Sequence, residues 1–219
     1  RQGGDESRRR LEGFFKAQDG ASLGEYGLTT VWHNIEPIEI LEKTALPKTI
    51  DAYLKVNSGM NRRGFTVDNV RIGWNALHGH EQIREVTLMT HFADADGASG
   101  VAGQLEWFNS LTQPMQGPRS LANSAALLRY PESHADWVRP GIMLDGCSPF
   151  ADQTAEDLGL EPVMTLTTEI IALQNLQAGE RVGYGFGFET KEEMTIGVVA
   201  CGYADGYPRL APTGTPVLV

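Results

Sequence analysis

Long hydrophobic runs, basic clusters and cysteines are all scarce in this sequence, and each scarcity excludes a class of protein. No apolar stretch approaches the length of a membrane-spanning helix, so we expect no membrane segment. Lysine and arginine total 18 against 28 aspartate and glutamate residues, and only Arg8–Arg10 form a basic cluster. Because nucleic-acid binding requires a patch of many cations, we expect no nucleic-acid partner.

The two cysteines, Cys147 and Cys201, lie far apart and show no metal-ligand spacing. This usage favours two reduced, buried thiols in a cytoplasmic protein and no structural metal. The chain opens without Met and without an apolar leader, so we expect the natural protein to contain residues before Arg1.

The first 150 residues alternate between strand-like and helix-like segments. Apolar, β-branched stretches predict strands at residues 28–33, 51–56, 85–92, 119–123 and 137–144. Helical spacing of apolar residues predicts helices at residues 35–46, 68–77, 100–111 and 124–128. Asp68 and Ser124 are the candidate N-caps of the second and fourth of these helices. The alternation implies parallel strands joined by crossover helices, and both a doubly wound sheet and a (β/α)₈ barrel fit it.

The pattern changes after Phe150. The remaining segments are β-rich, are separated by Gly and Pro, and have no helix pattern between them; they lie at residues 163–173, 181–183, 195–201 and 215–219. We therefore expect an α/β domain at residues 1–150, followed at residues 151–219 by the start of an antiparallel β domain.

Side chains with useful chemistry follow several of the predicted strands. They are Lys55, Arg62, His91, Asn123, Ser124, Arg139 and, in the second domain, Tyr203. Ligands of parallel α/β folds bind beyond the carboxyl ends of the strands, so these positions indicate a site.

Several of these residues also have a purely structural interpretation. His91 could be a satisfied buried polar group, Arg139 could pair with Asp136 or Asp145, and Tyr203 could belong to a glycine-rich turn. Asp94 and Asp96 could supply two carboxylate ligands to a metal ion, but no third ligand accompanies them in the sequence. This favours a solvated loop.

Five segments, taken together, resemble one family. KVNSGMNRRG, TLMTHFADAD, ANSAALLRYPESHADWVRPGIML, VGYG and VVACGYADGYPRLAPTGTPVLV follow one another in the order and spacing of bacterial alanine racemases, from about Leu11 to Val219. The resemblance implies a partial (β/α)₈ barrel that binds pyridoxal phosphate (PLP), followed by a β domain, in a homodimer with shared active sites. The implied reaction interconverts L-alanine and D-alanine and supplies D-alanine for peptidoglycan precursors.

The resemblance implies a cofactor-binding set. Arg139 resembles the arginine that hydrogen-bonds the pyridine nitrogen of PLP, and His91 resembles the histidine that supports this arginine. The residues that resemble the phosphate site and the ring contact are Asn123, Ser124, Gly141, Ile142 and Leu11. Since arginine does not give up its proton near neutral pH, the ring would stay neutral, which suppresses side reactions.

The resemblance also implies the groups that handle the substrate. Tyr203 resembles the catalytic tyrosine, one of two bases, which acts on the cofactor of the partner subunit. We expect a positive cluster of Arg139 and His91 to activate it. Arg62 resembles the arginine near the substrate carboxylate, and Lys55 the lysine whose carbamylated form positions that arginine.

The sequence departs from the family at several positions. No lysine occupies the position that holds the cofactor, so we expect the 219 residues alone to be inactive. Arg8–Arg10 stand where the family has an apolar strand, so we expect that strand not to form as in the family. Arg63 and Asp145 replace an apolar residue and a tyrosine. Two alternatives stay open: a racemase of broader amino-acid range, and a non-catalytic PLP-binding or scaffold protein.

Overall fold

The computed structural model describes the backbone of Arg10 and Leu11 and all of residues 22–217. The chain forms two compact units, Arg1–Val163 and Met164–Val219. The first unit extends beyond Phe150, where the sequence pattern changes, because the following loop is bonded back to it. Arg129 pairs with Asp152, and the Val163 amide donates to the Asp145 carbonyl. No helix of the described residues is long and apolar enough to cross a membrane.

The first unit contains one five-stranded parallel sheet. Its strands are β1 (Arg10–Leu11), β2 (Thr29–Trp32), β3 (Ile50–Lys55), β4 (Ile83–Met89) and β5 (Arg119–Ser120), and their spatial order is the chain order. A doubly wound sheet reverses its strand order at a switch point, whereas a barrel adds each strand beside the last. The sequential order therefore favours the barrel, which the sequence pattern alone left open.

Short helices follow the strands. Between β1 and β2 the described part of the chain is helical at residues 22–25. The later helices are α1 (Glu36–Leu41), α2 (Val70–His78), α3 (Ala102–Thr112) and α4 (Ser124–Arg129). The predicted helices are all present, but both predicted N-caps are wrong. Helix α2 begins after Asn69, without a side-chain cap, and α4 is capped by Asn123, whose Oδ1 accepts from the Ala126 amide at 3.0 Å.

The two faces of the sheet pack against different partners. Trp32, Leu54 and Leu88 are in register on neighbouring strands and join the core formed with the helices. Each such fully buried side chain contributes about 1.5–3 kcal/mol to stability. Because side chains alternate along a strand, the next residues point to the opposite face, where Tyr53 and Met89 belong to a smaller cluster.

Two strand predictions of the first unit need comment. We expected the strand at Arg8–Arg10 not to form as in the family; the structure describes a two-residue strand at Arg10–Leu11, which pairs in parallel with β2, and Arg8 and Arg9 lie outside the described residues. The segment at 137–144 continues the sheet only through a parallel bridge from Trp137 to Ser120. It then turns into a 3₁₀ helix at Ile142–Asp145. Pro140 has no amide to extend the ladder, and the Gly141 amide donates instead to Ser124.

The second unit is antiparallel β structure, which confirms its predicted class. β6 (Ile170–Leu176) pairs with β9 (Met194–Val199), and β7 (Arg181–Val182) pairs with β8 (Phe188–Glu189). Residues 163–169 and 215–217, predicted as parts of strands, are not strands, and Leu218 and Val219 lie outside the described residues. Large apolar side chains such as Ile171 and Leu173 are exposed on β6.

The cysteines differ from the sequence prediction in burial. Both thiols are free, but Cys147 is exposed and Cys201 is half-buried. Cys147 directly follows the glycine that ends the 3₁₀ helix at Ile142–Asp145, in a loop at the surface.

Candidate active site

Arg139 is fixed by several acceptors at the ends of the parallel strands. Its Nη1 donates to Ser120 Oγ at 2.9 Å, and its Nη2 donates to the carbonyl oxygens of Thr90 at 2.6 Å and Leu121 at 3.1 Å. Its own amide donates to the Ala122 carbonyl. These bonds, rather than the alternative ion pair with Asp136 or Asp145, hold the guanidinium in one orientation.

His91 lies beside this guanidinium, directly after the Thr90 that follows β4. Its Nδ1 is 3.4 Å from Arg139 Nη2. An arginine nitrogen can only donate, so Nδ1 acts as the acceptor and the ring hydrogen is assigned to Nε2. The two side chains that the sequence analysis grouped as a positive cluster are therefore neighbours in the structure.

Ser124 holds the loop that follows Arg139. Its Oγ accepts from the amides of Gly141 at 2.8 Å and Met143 at 3.4 Å. A hydroxyl has two acceptor lone pairs and one hydrogen, so this geometry leaves the hydrogen for a third partner. The serine therefore acts as a donor toward whatever occupies the neighbouring cavity.

That cavity has a volume of about 360 Å³ and brings most of the predicted cofactor residues together. It is lined by His91, Asp96, Asn123, Ser124, Ala125, Arg139, Gly141, Ile142 and Pro149. The volume lies within the range typical of small-molecule sites, at about 300–1,000 Å³.

Lys55 and Arg62 line a second depression, which shares His91 with the first. Lys55 ends β3 and is buried, whereas Arg62 is exposed on the loop that follows. The loop is organised by Asn57, whose Oδ1 accepts from the amides of Gly59 and Asn61. Gly64 closes it with φ +129°, and a Cβ there would lie 2.6 Å from the Asn57 nitrogen, so only glycine fits.

Some residues that build the site were not predicted from the sequence. Ser120 and Thr90 supply acceptors to Arg139, and Asn57 shapes the loop that carries Arg62. The signal for Asn57 was present, because asparagine in an Asn-Ser-Gly tract is typical of turns. Ser120 and Thr90 carried no signal of their own, since their partner is distant in sequence.

Asp94 and Asp96 do not act together in the structure. Asp94 Oδ2 accepts from the Ser99 amide at 2.8 Å, and hydrogen bonds from the side chain and then the backbone of Ser99 lower the pKa of its carboxyl group. Asp96 instead lines the cavity beside Ser124. Within residues 22–217, no three acidic, histidine or cysteine side chains are grouped to hold a metal ion.

The two remaining predicted site residues are Tyr203 and Leu11. Tyr203 begins a 3₁₀ helix in the second unit and is 65% exposed, in a turn closed by the bond from the Gly202 amide to Asp205 Oδ2. The backbone of Leu11 lies in β1, and its side chain lies outside the described part of the chain.

Comparison with known protein families covers nearly all of the chain. The N-terminal domain of alanine racemases matches residues 1–149, and the C-terminal domain of the same enzymes matches residues 163–219. The chain belongs to the alanine racemase family. Members of this family depend on PLP.

Individual alanine racemases are similar in both sequence and structure. The chain is 52% identical to alanine racemase from Burkholderia mallei over 211 residues, which are 95% of this chain and 59% of the relative. It is 50% identical over 210 residues to the catabolic alanine racemase of Salmonella typhimurium, with the same coverage. The biosynthetic alanine racemase of Pseudomonas aeruginosa superposes with a TM-score of 0.91 at 44% identity, over 96% of this chain and 60% of that one. The chain thus spans about 59% of the length of its curated relatives.

The cavity fits the non-covalent part of a PLP site in this family. Arg139 supplies a fixed cation, and the spare hydrogen of Ser124 suits a phosphate oxygen. No lysine of the described residues lines the cavity, and Lys16 lies outside them. The structure therefore describes groups that would bind and orient PLP, and describes none that would hold it covalently.

Proposed function

We propose that the protein, at its natural length, is a PLP-dependent racemase that interconverts L-alanine and D-alanine. The observation that carries the proposal is the convergence of Arg139, His91 and Ser124 on one cavity in a chain of this family. Bound PLP supplies an electron sink for the pair of electrons left when the Cα proton is removed. The protein residues determine where the cofactor sits and where protons move.

Arg139 is proposed to face the pyridine nitrogen of the cofactor. Its contacts with Ser120 and two carbonyl oxygens prevent the guanidinium from rotating away. Since an arginine has a pKa above about 12, it donates a hydrogen bond without transferring the proton, and the ring nitrogen stays unprotonated. His91, as acceptor from Nη2, adds one more restraint on the orientation of Arg139.

Ser124, Asn123 and the Gly141–Ile142 backbone are proposed to bind the phosphate. Support comes from the Ser124 hydroxyl, whose lone pairs are engaged by two amides and whose hydrogen is left for an anion. Asn123 keeps this serine in place by capping α4 and by donating to the Phe92 carbonyl. Leu11 is proposed to pack near the cofactor ring.

Two further proposals concern proton transfer and substrate binding. Tyr203 is proposed as one base, serving the cofactor of the partner subunit in a homodimer, and its exposure supports a role at a subunit surface. The other base is the lysine that holds the cofactor in this family. Arg62 is proposed to bind the substrate carboxylate, positioned by carbamylated Lys55, because both line the depression that also includes His91.

The physiological role is also proposed from the family. We place the protein in the cytoplasm, where two free cysteines are expected, and infer that it supplies D-alanine for peptidoglycan precursors. The named relatives include both a biosynthetic and a catabolic enzyme. A broader amino-acid range would be recognised by comparing alanine with larger amino acids as substrates.

The decisive experiment compares the natural-length protein with the 219 residues alone. The natural-length protein is expected to racemise alanine and to yield one lysine–PLP adduct after borohydride reduction. The 219 residues alone are expected to give neither D-alanine nor an adduct, because no described lysine lines the cavity. A natural-length protein that binds PLP without an adduct or activity would favour the non-catalytic alternative and contradict the racemase assignment.

Ser124→Ala is expected to weaken PLP binding by about 10- to 100-fold, because a hydrogen bond to a charged group contributes about 1.5–3 kcal/mol. The measurement is a PLP titration of the apoprotein followed by fluorescence. Ser133→Ala is the matched control, since this buried serine donates to the Tyr130 carbonyl and does not line the cavity. Equal PLP affinity in the two variants would remove Ser124 from the phosphate site.

A further inference from the structure

A glutamine on α3 joins the two loops that carry the candidate site. Gln104 Oε1 accepts from the Ala93 amide at 2.7 Å. Its Nε2 donates to Ser58 Oγ at 3.2 Å and to the His91 carbonyl at 3.3 Å. A side-chain amide has one carbonyl oxygen and two N–H donors, so every polar function of Gln104 is engaged.

The hydrogen bonds that link Gln104, Ser58 and Thr90 allow only one assignment of donors and acceptors. Thr90 Oγ1 donates to the Val56 carbonyl at 3.0 Å, which uses its single hydrogen. Ser58 Oγ, 2.6 Å from Thr90 Oγ1, must therefore be the donor in that pair and an acceptor from Gln104. Ser58 and Thr90 are both buried, so a missing link would leave a polar group without water to replace it.

The hydrogen bonds from Gln104 through Ser58 to Thr90 form a relay, and this relay reaches the Thr90–His91 segment of the candidate site. The Thr90 carbonyl accepts from Arg139 Nη2 at 2.6 Å, while the next carbonyl, that of His91, accepts from Gln104. Residues 90 and 91 are thus held from both sides. The contact from Arg139 Nη2 to His91 Nδ1, at 3.4 Å, is near the limit for a hydrogen bond, so a small displacement of this segment would break it.

We propose that Gln104 is a positioning residue for the candidate cofactor site. Gln104 does not itself line the cavity, but its bond to the His91 carbonyl sets the position of the Thr90–His91 segment against the guanidinium. It also fixes Ser58, and with it the loop that leads to Arg62. The consequence for PLP depends on the proposed function, whereas the consequence for the His91 ring does not.

The test uses Gln104→Glu in the natural-length protein. Glutamate is nearly isosteric and keeps an oxygen for the Ala93 amide, but an ionised carboxylate cannot donate to Ser58 or to the His91 carbonyl. Glu106→Gln is the matched control, since Glu106 is exposed on the same helix and lines neither the cavity nor the second depression. Ser58→Ala removes the same relay at its middle link.

The first readout is nitrogen NMR of the His91 imidazole in the apoprotein. We expect a hydrogen-bonded Nδ1 acceptor in the parent protein and in Glu106→Gln, and a loss of that signature in Gln104→Glu and Ser58→Ala. The second readout is the holoenzyme: kcat for alanine should fall about 10- to 100-fold, as for a misplacement of about 1 Å, with a changed PLP absorption spectrum.

An unchanged His91 signature in folded Gln104→Glu would overturn the proposal, whatever the cofactor does. If Gln104→Glu does not fold, Ser58→Ala decides in the same way. If neither variant folds, the test is Gln104→Asn, whose shorter amide cannot span both loops. A His91 signature like that of the parent protein in Gln104→Asn would contradict the proposal. A parent protein that binds no PLP would refute the proposed function and leave the His91 measurement as the test of Gln104.

Discussion

Replacing Arg139 by glutamate is expected to change the absorption spectrum of bound PLP and to lower kcat/KM by about two to three orders of magnitude. The parent guanidinium donates to whatever faces it and keeps its proton. A carboxylate at the same position accepts hydrogen bonds, and it would favour a protonated pyridine nitrogen and new side reactions. The spectrum of the holoenzyme and the steady-state rate are the measurements.

Two other variants separate this effect from general damage. Arg139→Lys keeps the positive charge, but one ammonium group cannot reproduce the spread of the guanidinium from Ser120 Oγ to the Leu121 carbonyl, so a milder loss is expected. Arg71→Glu makes the same charge reversal at an exposed position on α2 and should leave both readouts unchanged. An Arg139→Glu enzyme with the parent spectrum and rate would exclude the proposed contact with the ring nitrogen.

Tyr203→Phe is expected to slow racemisation by about 10²- to 10⁴-fold, the usual contribution of a positioned acid or base. The loss must appear in kcat/KM for both enantiomers, since their equilibrium constant is fixed at unity by mirror symmetry. Isotope exchange shows instead on which face of the substrate Tyr203 acts. In D₂O, the variant should still exchange the Cα hydrogen of the enantiomer that presents it to the lysine, and should lose exchange with the other enantiomer.

The control for this experiment lies in the same turn. Tyr207 follows Tyr203 by four residues, its amide donates to the Gly202 carbonyl, and its side chain is half-buried. Tyr207→Phe removes a phenol hydroxyl nearby without touching the proposed base. Exchange retained with both enantiomers in Tyr203→Phe would show that another group serves the second face of the substrate.

Local chemistry in the sequence predicted the class of each unit, and the resemblance named most of the residues that line the cavity. Alternating strands and helices required parallel pairing, so Lys55 and His91 could be assigned to the ends of strands before their neighbours were known. The pattern could not separate barrel from doubly wound sheet, because both repeat the same local unit. The sequential order of β1 to β5 is a long-range property.

Some failures of prediction have a physical cause in common, which is competition from distant partners. Ser124 has good capping chemistry, but its hydroxyl is taken by the Gly141 amide, and Asn123 caps α4 instead. The extended pattern after Trp137 ends because Pro140 has no amide to extend the ladder and because the Gly141 amide donates to Ser124. Gln104 gave no signal at all, since its partners lie as far away as Ser58, 46 residues earlier in the chain.

The most direct test of the central claim is a crystal structure of the natural-length protein with PLP. We predict the phosphate group within hydrogen-bonding distance of Ser124 Oγ, and the pyridine nitrogen facing the Arg139 guanidinium, in the cavity that these residues line with His91. A cofactor bound elsewhere, or bound here with its phosphate away from Ser124 and its ring away from Arg139, would contradict the account.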